Sequence, residues 1–151
     1  MIKIICVGKI KEDYWRNAIL EYQKRLSKYT KLELIEVPDS GDSEISKILE
    51  TERQKIEKYI SEKDYIITLE IEGHMLDSIQ LSETLNQIQQ RYSNITFIIG
   101  GSYGISDELK KKAHYALSFS KMTFPHQMFR VILLEQLYRS YRILNHESYH
   151  K

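Results

Sequence analysis

Three glycines, Gly100, Gly101 and Gly104, stand between the apolar run "NITFII" and the helical pattern that begins near Ser106. Glycine at such a junction lets the chain turn through positive φ and lets a small ligand approach main-chain groups closely. The spacing is not G-x-G-x-x-G, and no acidic side chain follows at the ribose-binding distance, which argues against an NAD-type oxidoreductase. A tight strand-to-helix turn with no ligand explains the same glycines. A second unusual stretch is "SFSKMTFPHQ", polar and aromatic, which holds one of only two prolines and runs straight into "MFRVILLEQLY". The terminal "NHESYHK" places Tyr149, His150 and Lys151 side by side. An aromatic ring, an imidazole and an ammonium suit stacking on a base and holding a phosphate; a frayed end is the alternative. His146 and His150 have a metal-ligand spacing, but no further ligands can be named, so no metal is assigned. Glu135 and Arg139 stand at i, i+4 and can pair on a helix.

The elements that must position these residues alternate along the chain. "IKIICVG", "LELIEVP", "DYIITLEIEG", "NITFIIGG" and "YALSFS" read as strands. Helical patterns fall at about 13–26, 44–61, 81–92, from Ser106 onward, and 125–144, with Ser106 as an N-cap and Pro125 at a first helical position. Trp15, Ile19, Tyr22 and Leu26 are expected on one inward face, and Ile45, Ile48, Leu49, Ile56 and Ile60 on another. "DSGDS" is the strongest loop. The alternation predicts a single α/β domain over residues 1–151 with a mainly parallel sheet and helices on both faces. Such sheets bind ligands at the carboxyl ends of their strands. That directs attention to "TLEIEG", "FIIGGSYG" and "SFSKMTF". The last helix is apolar nearly all round (Met128, Phe129, Val131, Ile132, Leu133, Leu134, Leu137, Tyr138, Tyr141), so burial on two sides is expected, with a homodimer as the economical means.

Hydrophobic content of 42% and charged content of 28% are ordinary for a globular protein. Cys6 is the single cysteine, so no intramolecular disulfide can form. No stretch has the length of a membrane span and the N-terminus lacks a signal-peptide pattern, so a cytoplasmic protein with no membrane partner is expected. The net charge of +1 conceals a split: residues 110–151 hold eight Lys or Arg against two Glu, and the remainder is net acidic. A basic third of this kind points either to a polyanionic partner, nucleic acid first, or to a solvated face balanced by the acidic part.

"TLEIEG", "IIGGSYG", "LSFSKMTFPHQMFRVILLEQLYR" and the terminal "YHK" closely resemble a bacterial family, the ribosomal RNA large-subunit pseudouridine N3-methyltransferases of the SPOUT class. The resemblance covers the whole chain and implies a C-terminal deep trefoil knot in which S-adenosylmethionine is cradled by three loops. Carried over by position, the cofactor contacts are Leu69, Gly100, Phe119, Ser120, Lys121, Met122, Thr123 and Phe124. "SFSKMTF" then departs from helix because it wraps the cofactor. The resemblance also implies a homodimer whose tail completes the partner's site. The implied substrate is a pseudouridine in a 23S rRNA stem-loop (helix 69) on the assembled ribosome, not DNA. Lys151 stands where some members have Arg, which keeps the charge but loses bidentate phosphate contact. For the chemistry, His150 is the first candidate for handling the N3 proton, Tyr149 for orienting the base, and Arg139 for stabilising the anion. His126 is a lesser candidate. A catalytically idle RNA-binding homodimer is the rival reading, separated by whether S-adenosylmethionine binds.

Overall fold

Six consecutive buried residues, Ile2–Val7, form β1, and their burial requires partners on both edges and cover on both faces. The computed structural model, which describes residues 1–151, supplies both. The other strands are β2 (Leu32–Val37), β3 (Asp64–Met75), β4 (Asn94–Ile99) and β5 (Tyr115–Ser118). The helices are α1 (Asp13–Leu26), α2 (Ile45–Glu57), α3 (Ser78–Gln89), α4 (Asp107–Lys112) and α5 (His126–Leu144). The strands make one five-stranded sheet in the order β2-β1-β4-β3-β5, and every pairing is parallel.

Alternation along β1 divides the core. Ile2, Ile4 and Cys6 join the larger cluster with Ile19 and Leu26 of α1, Leu81, Leu85 and Ile88 of α3, and Leu133, Leu134 and Leu137 of α5. Ile5 and Val7 join the smaller cluster with Ile56 of α2 and Leu109 of α4. Helices therefore cover both faces, as alternation of strand and helix predicts. Phe97 at the centre of β4 is fully buried; its truncation to Ala would cost about 3–5 kcal/mol. Burial also pushes the Cys6 thiol up to about 12, against a partial opposing effect of Arg130, so it behaves as an inert core side chain.

Several boundaries differ from the sequence expectation for local reasons. α3 starts at Ser78 rather than near Leu81, because Asp77 and Gln80 form a capping box: the Asp77 carboxylate accepts the Gln80 N–H at 2.7 Å, and the Gln80 side chain accepts the Asp77 N–H at 2.9 Å. β3 continues past Gly73 to Met75 because it re-registers on β5, where Leu117 pairs with both Leu69 and His74. At Gly73 the two backbones come so close that a Cβ would sit 2.8 Å from the Ala116 carbonyl carbon. α2 runs only from Ile45 to Glu57, and Ile45, expected inward, is exposed at the helix start. Pro125 occupies the N-cap of α5 instead of its first turn, and its carbonyl accepts the Phe129 N–H at 2.9 Å.

The breadth of apolar surface on α5 is consumed largely within the chain. The helix packs against both α1 and α3, and Leu133, Leu134 and Leu137 have no exposure left. These residues therefore give no argument for a second subunit, contrary to the expectation from composition. The face of α5 that remains outward carries Met128, Ile132, Glu135 and Arg139, spaced three and four residues apart.

Candidate functional site

The carboxyl ends of β3, β4 and β5 enclose a cavity of about 530 Å³. Leu69 lines it from β3, Gly100 from the turn after β4, and Phe119, Ser120, Met122, Thr123 and Phe124 from the segment after β5. Lys121 does not line it; its side chain is exposed. The segment after β5 is held out of helix by its own hydroxyls. Ser118 Oγ donates to the Ser120 carbonyl at 3.1 Å, and Ser120 Oγ accepts the Met122 N–H at 3.0 Å. Phe119 meets Phe129 edge-on at 5.1 Å between ring centroids, which ties this segment to the first turn of α5. Sequence reasoning flagged Glu70, Ile71 and Glu72 only as part of "TLEIEG" and gave Ile105, Lys110 and Phe129 no place in a site; all six line the cavity, as does His126.

The glycine turn closes on itself. The Gly104 N–H donates to the Gly101 carbonyl at 3.0 Å, and Gly104 takes φ +82°. A Cβ on Gly100 would lie 2.6 Å from the Gly104 carbonyl carbon and 2.9 Å from Ile105 Cγ1. Glycine is thus required at position 100 by the turn itself, before any ligand enters. Charge on the wall comes from Glu70, which accepts the Thr68 hydroxyl at 2.6 Å and lies 3.6 Å from Lys110, and from the exposed Glu72.

Arg139, Tyr149 and His150 come together, but at a distance from this cavity. Arg139 donates to Glu135 Oε1 at 2.7 and 3.1 Å, and Tyr149 donates its hydroxyl to the same oxygen at 3.1 Å. The Arg139 guanidinium lies 4.6 Å from the Tyr149 ring centroid. The tail is pinned further by Arg142, which donates to the Ser148 carbonyl at 2.7 Å and pairs with Glu147 at 2.6 Å. It is therefore folded back on its own α5, not frayed. His150 Nδ1 faces Arg139 Nη1 at 3.1 Å. A guanidinium only donates, so Nδ1 accepts and the imidazole proton sits on Nε2. The Glu135 hydrogen bond raises the Arg139 pKa and keeps it cationic; burial first, with Glu135 adding to it, pushes Tyr149 up to about 12 and keeps it a neutral phenol. His126, at the cavity, and Arg139 are about 20 Å apart along α5 at 1.5 Å per residue.

The basic third is mostly neutralised in the fold. Lys110, Lys112, Arg130, Arg139 and Arg142 all have carboxylate partners, leaving Lys111, Lys121 and Lys151 without one. Three of these pairs, to Glu70, Glu57 and Glu36, reach carboxylates of the acidic part and so offset half of the third's excess charge. No group of three or more His, Cys, Asp or Glu side chains is arranged to hold a metal ion, and His146 takes φ +53° in the turn after α5. No helix is long and apolar enough to cross a membrane.

Comparison with known proteins agrees with this architecture. A family model described as "Predicted SPOUT methyltransferase" matches residues 1–150. Among solved structures, the chain is similar to a probable methylase family protein from Haemophilus influenzae Rd KW20, with a TM-score of 0.55 and 16% identity over 96% of this chain. A further match is the SpoU methyltransferase AviRb from Streptomyces viridochromogenes, solved in complex with AdoMet, with a TM-score of 0.48 and 12% identity over 93% of this chain. The chain spans 66% and 57% of those two proteins, respectively. At 16% identity the likeness to the first of these concerns the fold alone, while the family match extends over nearly every residue described above. The chain belongs to the SPOUT methyltransferase family.

Proposed function

We propose that the protein methylates N3 of a pseudouridine in a 23S rRNA stem-loop (helix 69) on the assembled ribosome, using S-adenosylmethionine and acting as a cytoplasmic homodimer. The observation that carries this reading is the cavity at the ends of β3, β4 and β5, lined by seven of the eight residues that the sequence resemblance assigns to the cofactor. Its size suits a ligand of that class. The aromatic and aliphatic walls, Leu69, Phe119, Phe124 and Phe129, would hold the adenine, and main-chain groups of the glycine turn and of 118–124 would hold its polar edges. In this reading the segment 118–125 belongs to the trefoil knot.

S-adenosylmethionine, when bound, supplies an electrophilic methyl group on a sulfonium. The chain's own task is to position the target nitrogen and to stabilise the anion left when its proton departs to water. Arg139, locked by Glu135, presents a permanent positive charge for that anion or for a phosphate. Tyr149 offers a neutral ring for stacking. With Nδ1 engaged by Arg139, His150 presents Nε2–H, a donor suited to an imide oxygen on which negative charge develops. This revises its role: in this arrangement it steadies the anion instead of accepting the N3 proton. Reacting atoms must approach to roughly 3–3.5 Å, whereas this cluster and the cavity of its own chain are separated along α5. The reading therefore assigns the cluster on one subunit to the cavity of the other, and the outward face of α5 with Ile132 to the dimer interface.

Mass spectrometry of 23S rRNA from cells with and without the gene tests the assignment. One methylated pseudouridine should disappear on deletion; an unchanged rRNA would refute the substrate.

A further inference from the structure

Four charged side chains are buried in this fold: Lys3, Glu52, Asp64 and Arg130. Lys3 pairs with Asp64 at 2.6 Å and Arg130 with Glu36 at 2.6 Å. Glu52 has no ion pair. It projects from α2, is 4% exposed, and its Oε2 has only a long hydrogen bond from the Ser40 N–H at 3.4 Å. Its Oε1 is buried and has no partner at all. Both oxygens face the glycine turn: a Cβ placed on Gly101 would sit 3.3 Å from Oε1 and 3.4 Å from Oε2. Gly101 lines the cavity. The carboxyl thus lies directly behind the cavity wall, with an acceptor to spare.

A buried acceptor left unpaired works against stability, and replacing such a group by an uncharged one of the same shape is commonly neutral or stabilising for a fold. Fold stability therefore does not account for a carboxylate here. We propose that Glu52 is a positioning residue for the glycine turn, holding Gly101 from behind, and that Oε1 accepts a main-chain N–H of the 100–104 turn when the cavity fills. This rests on the cofactor reading above. Around the carboxyl stand Asp39 and Ser40 from the loop after β2, Lys55 from α2, Val7 from β1 and Gly101 itself. Burial chiefly, together with the Asp39 charge and against the Ser40 N–H and Lys55, raises the Glu52 pKa above the ordinary glutamate range. A new N–H bond favours the ionised form. Filling the cavity then lowers that pKa, so affinity rises as pH rises through the Glu52 titration and levels off above it.

The test is calorimetric titration of the full-length protein with S-adenosylmethionine between about pH 5 and pH 8, for wild type, Glu52→Gln and Glu52→Met, with the melting temperature of each. The wild type should bind more tightly as pH rises. Both variants should melt at or above the wild-type temperature and show no pH dependence; at the upper pH Glu52→Met should bind about tenfold more weakly, a cost near that of one charged hydrogen bond, and Glu52→Gln, whose amide oxygen still accepts, should lose less. Should Glu52→Gln not fold, Glu52→Met is read in the same way. A folded variant with wild-type affinity and pH profile would overturn the inference, as would a lowered melting temperature with unchanged affinity. A wild-type protein that binds no S-adenosylmethionine at any pH would overturn the cofactor reading and this inference together.

Discussion

The Tyr149 hydroxyl donates to Glu135 Oε1 at 3.1 Å, the oxygen that also holds Arg139. One carboxylate on the outer face of α5 thereby orders both the tail and the guanidinium. The terminal residues gain a defined geometry from the helix they follow, and the helix gains a polar cluster on the face its apolar packing leaves free.

Glu135→Ala removes that shared acceptor without touching the cavity. Arg139 and Tyr149 should lose their fixed positions, and kcat for methylation should fall on the order of 100-fold, the scale of a misplaced positioning group. Cofactor affinity by calorimetry should stay within about twofold of wild type, well under 1 kcal/mol. A matching loss of cofactor affinity would show the cluster to be part of the cofactor site.

The proposed exchange between subunits has its own test. Subunits lacking 149–151 are mixed with full-length subunits carrying Gly100→Val, whose turn cannot close against Gly104. Each should be inactive alone, and mixed dimers should regain activity at up to one site per dimer. Activity confined to subunits with both an intact tail and an intact turn would mean that the tail acts within its own chain.

The proposed dimer face can be separated from the core by two substitutions one turn apart or less. Leu134 is fully buried against α1 and α3, so Leu134→Asp should unfold the chain, since an unpaired buried charge costs several kcal/mol. Ile132 lies on the outward face, outside both core clusters and the apolar residues packed on them. Ile132→Arg should keep the melting temperature of the isolated subunit and yield monomers by sedimentation. A fully active Ile132→Arg dimer would move the interface elsewhere.

Leu134 and Ile132 illustrate what sequence could and could not disclose. The apolar run of α5 was plain in its composition, yet whether each residue met a neighbouring helix or a second copy depended on α1 and α3 closing over it. Strands such as β1 were legible from an apolar run broken only by Lys3, whereas the re-registration of β3 after Leu69 depends on where β5 lands beside it. In the site, glycines and the non-helical 118–124 stretch announced themselves by type. Glu52 did not: in "ILETERQKI" it looks like one more solvated helix residue, and only the packing of α2 onto the strand ends brings it behind Gly101.

At the opposite end of the sheet, Asp64 offers a stability test. Burial acts to raise its pKa, but hydrogen bonds from Lys3, the Ser61 N–H, Asn94 and the Ser61 hydroxyl outweigh it and hold it at about 2. A depressed carboxylate contributes stability above its unfolded pKa and loses it as pH falls through the folded one. About 2 kcal/mol should therefore be lost between roughly pH 4 and pH 2. Lys3→Met strands the buried Asp64 charge and should cost about 3–5 kcal/mol at neutral pH. Urea denaturation across that pH range checks both; a Lys3→Met protein as stable as wild type would contradict the assignment.

The catalytic claim is tested most directly with purified protein, S-adenosylmethionine carrying a labelled methyl group, and ribosomes from cells lacking the gene. After digestion of the 23S rRNA, mass spectrometry should find the label on N3 of a single pseudouridine in the helix 69 stem-loop. Cofactor bound by the protein but no label on the rRNA would contradict the account and leave an RNA-binding homodimer without catalysis in its place.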